Sequence, residues 1–267
     1  MSAIVLAVVN QKGGVGKTTT VVNLAASLAE KGKRTLIIDC DPQGNCTTGL
    51  GYIPETVNSS VYDVVVLGQP ITSATIPTAV ENLWLVPATL QLAGAEIELV
   101  GLPRREYRLS YALEALDEVY DYVLIDCPPS LGLLTLNAIV ASVGLVVPIQ
   151  CEFYALQGLS LLSHTISLVR QSLKPSLVIV GIIMTLYDAR LSLAHQVVDE
   201  IRDRFGDELL EPFIPRSVRL SEAPSHGLPI TAYDPGGKGT KAYLAVADAL
   251  EARIHSLFPT ISAIPEE

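Results

Sequence analysis

The sequence predicts an α/β fold with a doubly wound, mostly parallel sheet and helices on both faces. Three observations carry this expectation. Short apolar runs of strand length alternate along the chain with segments of helical periodicity, the pattern of repeated strand–helix units. Hydrophobic residues make up 49% of the chain and mean hydropathy is +0.39, yet no run approaches the roughly 18 apolar residues of a membrane span. The apolar excess therefore belongs to strands buried on both faces. Finally, the first apolar run, residues 3–9, leads into a glycine-rich loop and then a helix, an arrangement that aims backbone N–H groups at an anion.

Taken in order, that first strand is followed by a helix over 19–31, with Val21, Val22, Leu24, Ala25, Leu28 and Ala29 as its apolar positions and Gly32 at its C-cap. A second strand at 34–38 ends in Asp39-Cys40-Asp41-Pro42-Gln43-Gly44-Asn45, where carboxylates and turn formers replace apolar residues. Residues 51–82 read as peripheral, with one short helical piece at 61–67. A strand at 83–87 precedes helices at 90–99 and 107–119, and the strand at 122–126 closes in Asp126. Two more strands, 145–149 and 177–183, flank a helix at 156–171. A helix at 193–205, a short strand within 209–215 and a terminal helix at 242–258 complete the pattern. No repeat or linker divides the chain, so residues 1–258 are expected to form one domain, with a frayed tail at 259–267.

The chemistry starts at residues 11–20, Gln-Lys-Gly-Gly-Val-Gly-Lys-Thr-Thr-Thr. Gly13, Gly14 and Gly16 permit close backbone approach, so the N–H groups of the loop, running through Val15 and Thr19, can surround a polyphosphate. Lys17 then neutralises the β- and γ-phosphates and the Thr18 hydroxyl is placed for Mg²⁺. The pattern G-x-x-x-x-G-K-[ST] has glycine where this chain has Gln11, and Lys12 is an additional cation. A bare turn has no use for two lysines around three glycines. Asp126, at a strand end before Cys-Pro-Pro-Ser, has the position of a metal-holding carboxylate. Asp39 and Asp41 end the second strand on one side of it, and alternation alone does not choose between them as the residue facing the γ-phosphate. The base is expected to be adenine, since the guanine-reading Asn-Lys-x-Asp is missing. Cys40, Cys46, Cys127 and Cys151 have no C-x-x-C spacing and the four histidines no zinc-site spacing, so reduced thiols are expected.

Lys-Gly-Gly-Val-Gly-Lys-Thr-Thr resembles the deviant Walker A motif of the ParA/MinD group of P-loop ATPases. Further pieces narrow the likeness to ParA/Soj proteins: Asp-Pro-Gln-Gly-Asn at 41–45, Ile-Asp-Cys-Pro-Pro-Ser-Leu-Gly-Leu-Leu-Thr at 125–135, Gln-Cys-Glu-Phe-Tyr-Ala-Leu-Gln-Gly-Leu at 150–159, Leu-Tyr-Asp-Ala-Arg at 186–190 and Ile-Pro-Arg-Ser-Val-Arg-Leu-Ser-Glu-Ala-Pro-Ser-His-Gly at 214–227. The resemblance covers essentially residues 3–255. It implies a slow ATPase, stimulated by a ParB-type partner, that forms a homodimer on Mg-ATP and binds double-stranded DNA without sequence preference to drive chromosome or plasmid segregation. It also implies that Lys12 reaches the nucleotide of the facing subunit, and that Asp41 positions the attacking water. Asp39 is implied to meet Mg²⁺-bound water or loop backbone, and Pro215 and Arg216 to contact the nucleotide. Arg190, Arg216 and Arg219 lie in motifs whose arginines meet DNA phosphates.

Composition sets limits on that reading. The net charge of −10 opposes a generally basic nucleic-acid binder, so DNA contact must be local. Half of the 18 Lys and Arg lie between residues 170 and 241, interleaved with Asp199, Glu200, Asp203, Asp207 and Glu208; without the resemblance this is a solvated face. The N-terminus has no basic signal-peptide region, so a cytoplasmic protein is expected, and the resemblance implies that it is nucleoid-associated, without the helix-turn-helix extension of larger plasmid ParA proteins. A MinD-like membrane cycle would need a basic amphipathic C-terminal helix, and Arg253 alone is basic near that end, so stable membrane association is not expected. An iron–sulfur carrier would need paired cysteines. A ParA relative that positions a protein cargo differs only in its partner, and a nucleotide-switched scaffold without turnover has no need of Lys12, Lys17, Asp41 and Asp126 together.

Overall fold

The computed structural model describes residues 3–116, 120–152 and 155–259. Its centre is a sheet of eight strands: β1 (Ile4–Val8), β2 (Thr35–Asp39), β3 (Ile76–Pro77), β4 (Leu83–Val86), β5 (Tyr122–Asp126), β6 (Gly144–Gln150), β7 (Val178–Thr185) and β8 (Leu209–Leu210). They lie in the order β3-β4-β2-β5-β1-β6-β7-β8, and all neighbours are parallel except the short edge pair β3–β4. This is the doubly wound sheet that the strand–helix alternation predicts.

Every residue of β1, β2 and β5 is buried, which is why these strands read as unbroken apolar runs. Their side chains alternate between two cores. Ile4, Leu6 and Val8 face one that contains α1 (Lys17–Glu30), α2 (Asn45–Gly49), α10 (Val218–Glu222), α11 (Ile230–Tyr233) and α12 (Lys238–Leu257). Val5, Ala7 and Val9 face the other, made by α3 (Val61–Val65), α4 (Ile71–Ala74), α5 (Leu92–Glu98), α6 (Arg108–Glu114), α7 (Leu133–Ala141), α8 (Ala155–Ser172) and α9 (Ser192–Phe205).

The register sets the site. Asp126 lies beside Val8 on one flank and Asp39 on the other, so the three central strands end together. The chain winds outward on one side of β1 through β2 and β4 and on the other through β6 and β7, so the loop after β1 opens where the strand order reverses, the usual position of a ligand crevice.

Several elements differ from expectation. Between the expected strands at 122–126 and 145–149 the sequence pattern marks no element, whereas α7 occupies Leu133–Ala141. Leu-Leu-Thr-Leu-Asn-Ala-Ile-Val-Ala has almost no polar face because six of its nine residues are buried, so the 3.6-residue periodicity that marks a surface helix is missing. The helix expected over 107–119 ends at Glu114, and 117–119 lie outside the described residues. Within 209–215 only Leu209–Leu210 pair as a strand; Tyr187 and Pro215 add an isolated bridge. The terminal helix starts at Lys238, earlier than 242. The tail expected at 259–267 lies, except Pro259, outside the described residues.

Candidate functional site

The loop after β1 is held from two strands, β6 and β7, and by its own Asn10. The Asn10 amide donates to the Pro148 carbonyl (2.7 Å) and its Oδ1 accepts the Lys12 N–H (2.9 Å), while the Thr185 hydroxyl donates to the Val15 carbonyl (2.7 Å). Gly14 and Gly16 have φ of 75° and 85°, left-handed values that side-chain-bearing residues adopt at a cost, and Gly16 is the N-cap of α1. A cavity of about 620 Å³, a size suited to a small ligand, opens over Gly13, Gly14, Gly16, Lys17, Thr18 and Thr19. Val15 is buried and holds the loop through its carbonyl instead of lining the cavity.

Three carboxylates converge below this loop, and their surroundings separate them. Asp39 is fully buried and accepts from the Thr47 N–H (2.8 Å), the Thr47 hydroxyl (2.7 Å) and the Asp41 N–H (3.2 Å). Burial pushes its carboxyl up to about 6, against the pull of those hydrogen bonds. Asp41 lies on the cavity wall, with its Oδ1 taking the Gln43 N–H (2.9 Å) in a tight turn. Asp126 is also fully buried, and neither of its oxygens has a hydrogen-bond partner, although the Thr18 hydroxyl is near enough to favour its charged form. Burial first, and then the nearby Asp39, raise the Asp126 pKa well above the carboxylate range.

A fully buried carboxylate this poorly hydrogen-bonded by the protein is costly unless a cation completes it. Lys17 is close enough to act on Asp126 and Asp41; burial lowers its pKa, those two charges oppose the change, and its Nζ donates to the Lys12 carbonyl (3.2 Å). The set Thr18, Asp126 and Asp41 around a phosphate-cradling loop therefore fits a magnesium–polyphosphate. Among the described residues no group of three or more His, Cys, Asp or Glu could hold a metal ion. Magnesium tolerates this, since it takes one or two protein ligands and completes its shell with phosphate and water. Free Cys40, Cys46 and Cys127 are buried, with thiol pKa values raised by burial, so they are not reactive thiolates.

Lys12 is half-exposed and ion-paired within its own chain to Glu152, just beyond β6. Pro215 and Arg216 are not among the residues lining the cavity; Pro215 bridges Tyr187, and the Arg216 N–H donates to the Tyr187 carbonyl (3.0 Å). The same pairing brings Arg190 and Arg216 together around Asp188. Arg219, on α10, contacts Glu222 (3.3 Å) and the Tyr233 hydroxyl (3.4 Å). The remaining cavity wall comes from residues that the sequence reading does not assign to the site, including Val22, Asn23, Thr48, Ala223, Pro224 and Ser225. Gln43 and Asn45 could have been found from the Asp-Pro-Gln-Gly-Asn motif. Ala223, Pro224 and Ser225 belong to the motif at 214–227, but nothing local places them against the phosphate loop, because the fold brings them there.

With this geometry in place, comparisons with known proteins agree. The AAA domain family matches residues 3–179. The sporulation initiation inhibitor protein Soj of Bacillus subtilis is 54% identical over 93% of this chain and 98% of its own length. The chromosome partitioning protein ParA of Myxococcus xanthus is 51% identical over 93% of this chain and 88% of its own. Among solved structures, cobyrinic acid a,c-diamide synthase from Mycobacterium smegmatis, with a bound ATP analogue and magnesium, has a TM-score of 0.83 at 40% identity, covering 100% of both chains.

Proposed function

Since the chain belongs to the ParA/Soj family of partition ATPases, we propose that it dimerises on Mg-ATP, binds DNA without sequence preference as the dimer, and resets by hydrolysis under a ParB-type activator. The observation that carries the nucleotide chemistry is Asp126, buried without a partner beside Thr18 and Lys17. Thr18 and Asp126 would hold the metal, which neutralises charge on the β- and γ-phosphates when bound. The N–H groups of residues 13–19 cradle the phosphates and Lys17 balances their charge. Asp41 faces the same cavity and orients the attacking water, whereas Asp39, held by Thr47, keeps the strand end in place. Lys12 leaves Glu152 and reaches the facing subunit's nucleotide, supplying charge to the transition state from outside.

Arg190, Arg216 and Arg219 supply the DNA contacts. One subunit of this acidic protein has few such contacts, and dimerisation doubles them on a single face. The reading places the protein on the nucleoid. No helix among the described residues is long and apolar enough to cross a membrane.

The test is a mobility shift with nonspecific duplex in no nucleotide, ADP and ATP. Binding with ATP alone, lost in Arg190→Glu and prolonged in Asp41→Ala, supports the switch. No binding in any nucleotide state overturns the DNA role and leaves a membrane or protein-scaffold role to account for the ATPase.

A further inference from the structure

Asp188 lies beside two of the candidate DNA arginines, Arg190 and Arg216, where an acidic side chain opposes the proposed function. The turn that carries it follows β7 and is pinned to the segment after β8: the Tyr187 N–H donates to the Ile214 carbonyl (2.9 Å), the Arg216 N–H donates to the Tyr187 carbonyl (3.0 Å), and the Tyr187 ring packs against Phe213 (5.0 Å). His195 closes the turn from α9 through the Ala189 carbonyl (2.8 Å).

Within this frame Asp188 grips Arg190 along one edge of the guanidinium, Nε to Oδ1 at 2.9 Å and Nη2 to Oδ2 at 2.6 Å, and also takes the Arg190 N–H at 3.1 Å. The two partners differ in exposure: the Arg190 side chain is 88% exposed and that of Asp188 only 18%. Arg190 and Arg216 both hold the Asp188 carboxyl well below the usual range, so it is charged at any working pH.

So exposed an ion pair contributes little to folding. Its geometry is nevertheless the side-on, two-bond fork with which a guanidinium takes a phosphate. Of the three candidate DNA arginines, Arg190 alone is engaged this way among the described residues. Arg219 meets Glu222 through one long contact, and Arg216 forms no ion pair among those residues.

We infer that Asp188 is a built-in competitor for phosphate, occupying the Arg190 fork and subtracting one charge from each subunit's patch so that a single subunit's arginines do not hold DNA. This rests on the DNA-binding reading of Arg190. A backbone phosphate must displace Asp188 from the Nε–Nη2 edge or settle for the free Nη1 side while repelled by the carboxylate. In a dimer the penalty and the phosphate contacts both double, but those contacts are also strengthened by being made on one rigid body.

The test is fluorescence anisotropy of a random-sequence duplex, at low salt with a non-hydrolysable ATP analogue, on wild type, Asp188→Asn, Arg190→Ala, the double variant and Asp199→Asn. Asparagine keeps the turn's acceptor and removes the charge. Asp199 is an exposed carboxylate paired with Arg202 through a single contact, so its variant controls for net charge. Asp188→Asn should tighten binding about three- to tenfold, the gain should vanish when Arg190 is alanine, and Asp199→Asn should change little. Weaker binding by Asp188→Asn at unchanged melting temperature means Asp188 supports Arg190 instead of competing for it. Unchanged affinity, or an equal gain in Asp199→Asn, also overturns the inference. A wild type that binds no duplex removes the DNA reading and this inference with it.

Discussion

Asp126 has the most costly position of any residue in the site, a fully buried carboxylate with no hydrogen bond. Replacing it by asparagine removes the ionisable group, and with it the cost of burying or protonating a carboxylate there, at almost constant shape. We expect Asp126→Asn to raise the stability of the nucleotide-free protein by about 1–3 kcal/mol in urea unfolding, while lowering hydrolysis by about a hundredfold or more. A variant that is both less stable and fully active would show that the carboxylate has a different role. The two lysines have different neighbours: Lys17 is buried among carboxylates, and Lys12 is half-exposed on Glu152. Alanine at either is expected to abolish hydrolysis, and normal turnover by Lys12→Ala would exclude action across the dimer. Lys12, Lys17 and the glycines were legible in the sequence because their spacing is the signal. The pairing of Lys12 with Glu152, 140 residues away, was not.

At the scale of elements, Thr47 ties α2 to β2 and to the end of β4. Its hydroxyl donates to Asp39 and accepts the Ala88 N–H (2.9 Å). Valine in its place leaves two buried groups short of a partner, which should cost about 2–4 kcal/mol in chemical denaturation, and serine should restore most of it. A neutral Thr47→Val would mean that water replaces the hydroxyl. The same hydroxyl shows why β2 ends as it does: Asp39 and Asp41 are equivalent by alternation, and α2 makes them different by bonding the first and leaving the second on the cavity. Helix α7 escapes the sequence pattern for a related reason. It is buried on nearly every side, with its first N–H groups taken by Glu96 of α5 (2.7 and 3.3 Å), so both its cap and its packing partners are distant in sequence.

For the whole molecule, an acidic chain that binds DNA must do so through few phosphates, and salt should reveal their number. If three arginines act in each of two subunits, affinity for duplex should fall about a thousandfold between 50 and 200 mM salt. Arg216→Ala should lower the logarithmic salt slope by about two, because each subunit then neutralises one phosphate fewer. A slope unchanged by that substitution would remove Arg216 from the surface. The candidate arginines are drawn from the segments after β7 and β8 and from α10, and the pairing of Tyr187 with residues 214–216 is what makes Arg190 and Arg216 neighbours.

The sequence by itself determined the α/β class, the order of the central strands' apolar runs and the phosphate loop, because each of these depends on residues close together in the chain: a strand's burial on both faces, a glycine's access to positive φ, a helix beginning where a loop ends. The tertiary structure decided which of the two carboxylates around the end of β2 reaches the cavity, which residues close its far wall, where Lys12 rests and that Asp188 occupies Arg190. Those outcomes depend on register and packing between elements, and a side chain's charge and exposure are set by the neighbours that the fold supplies.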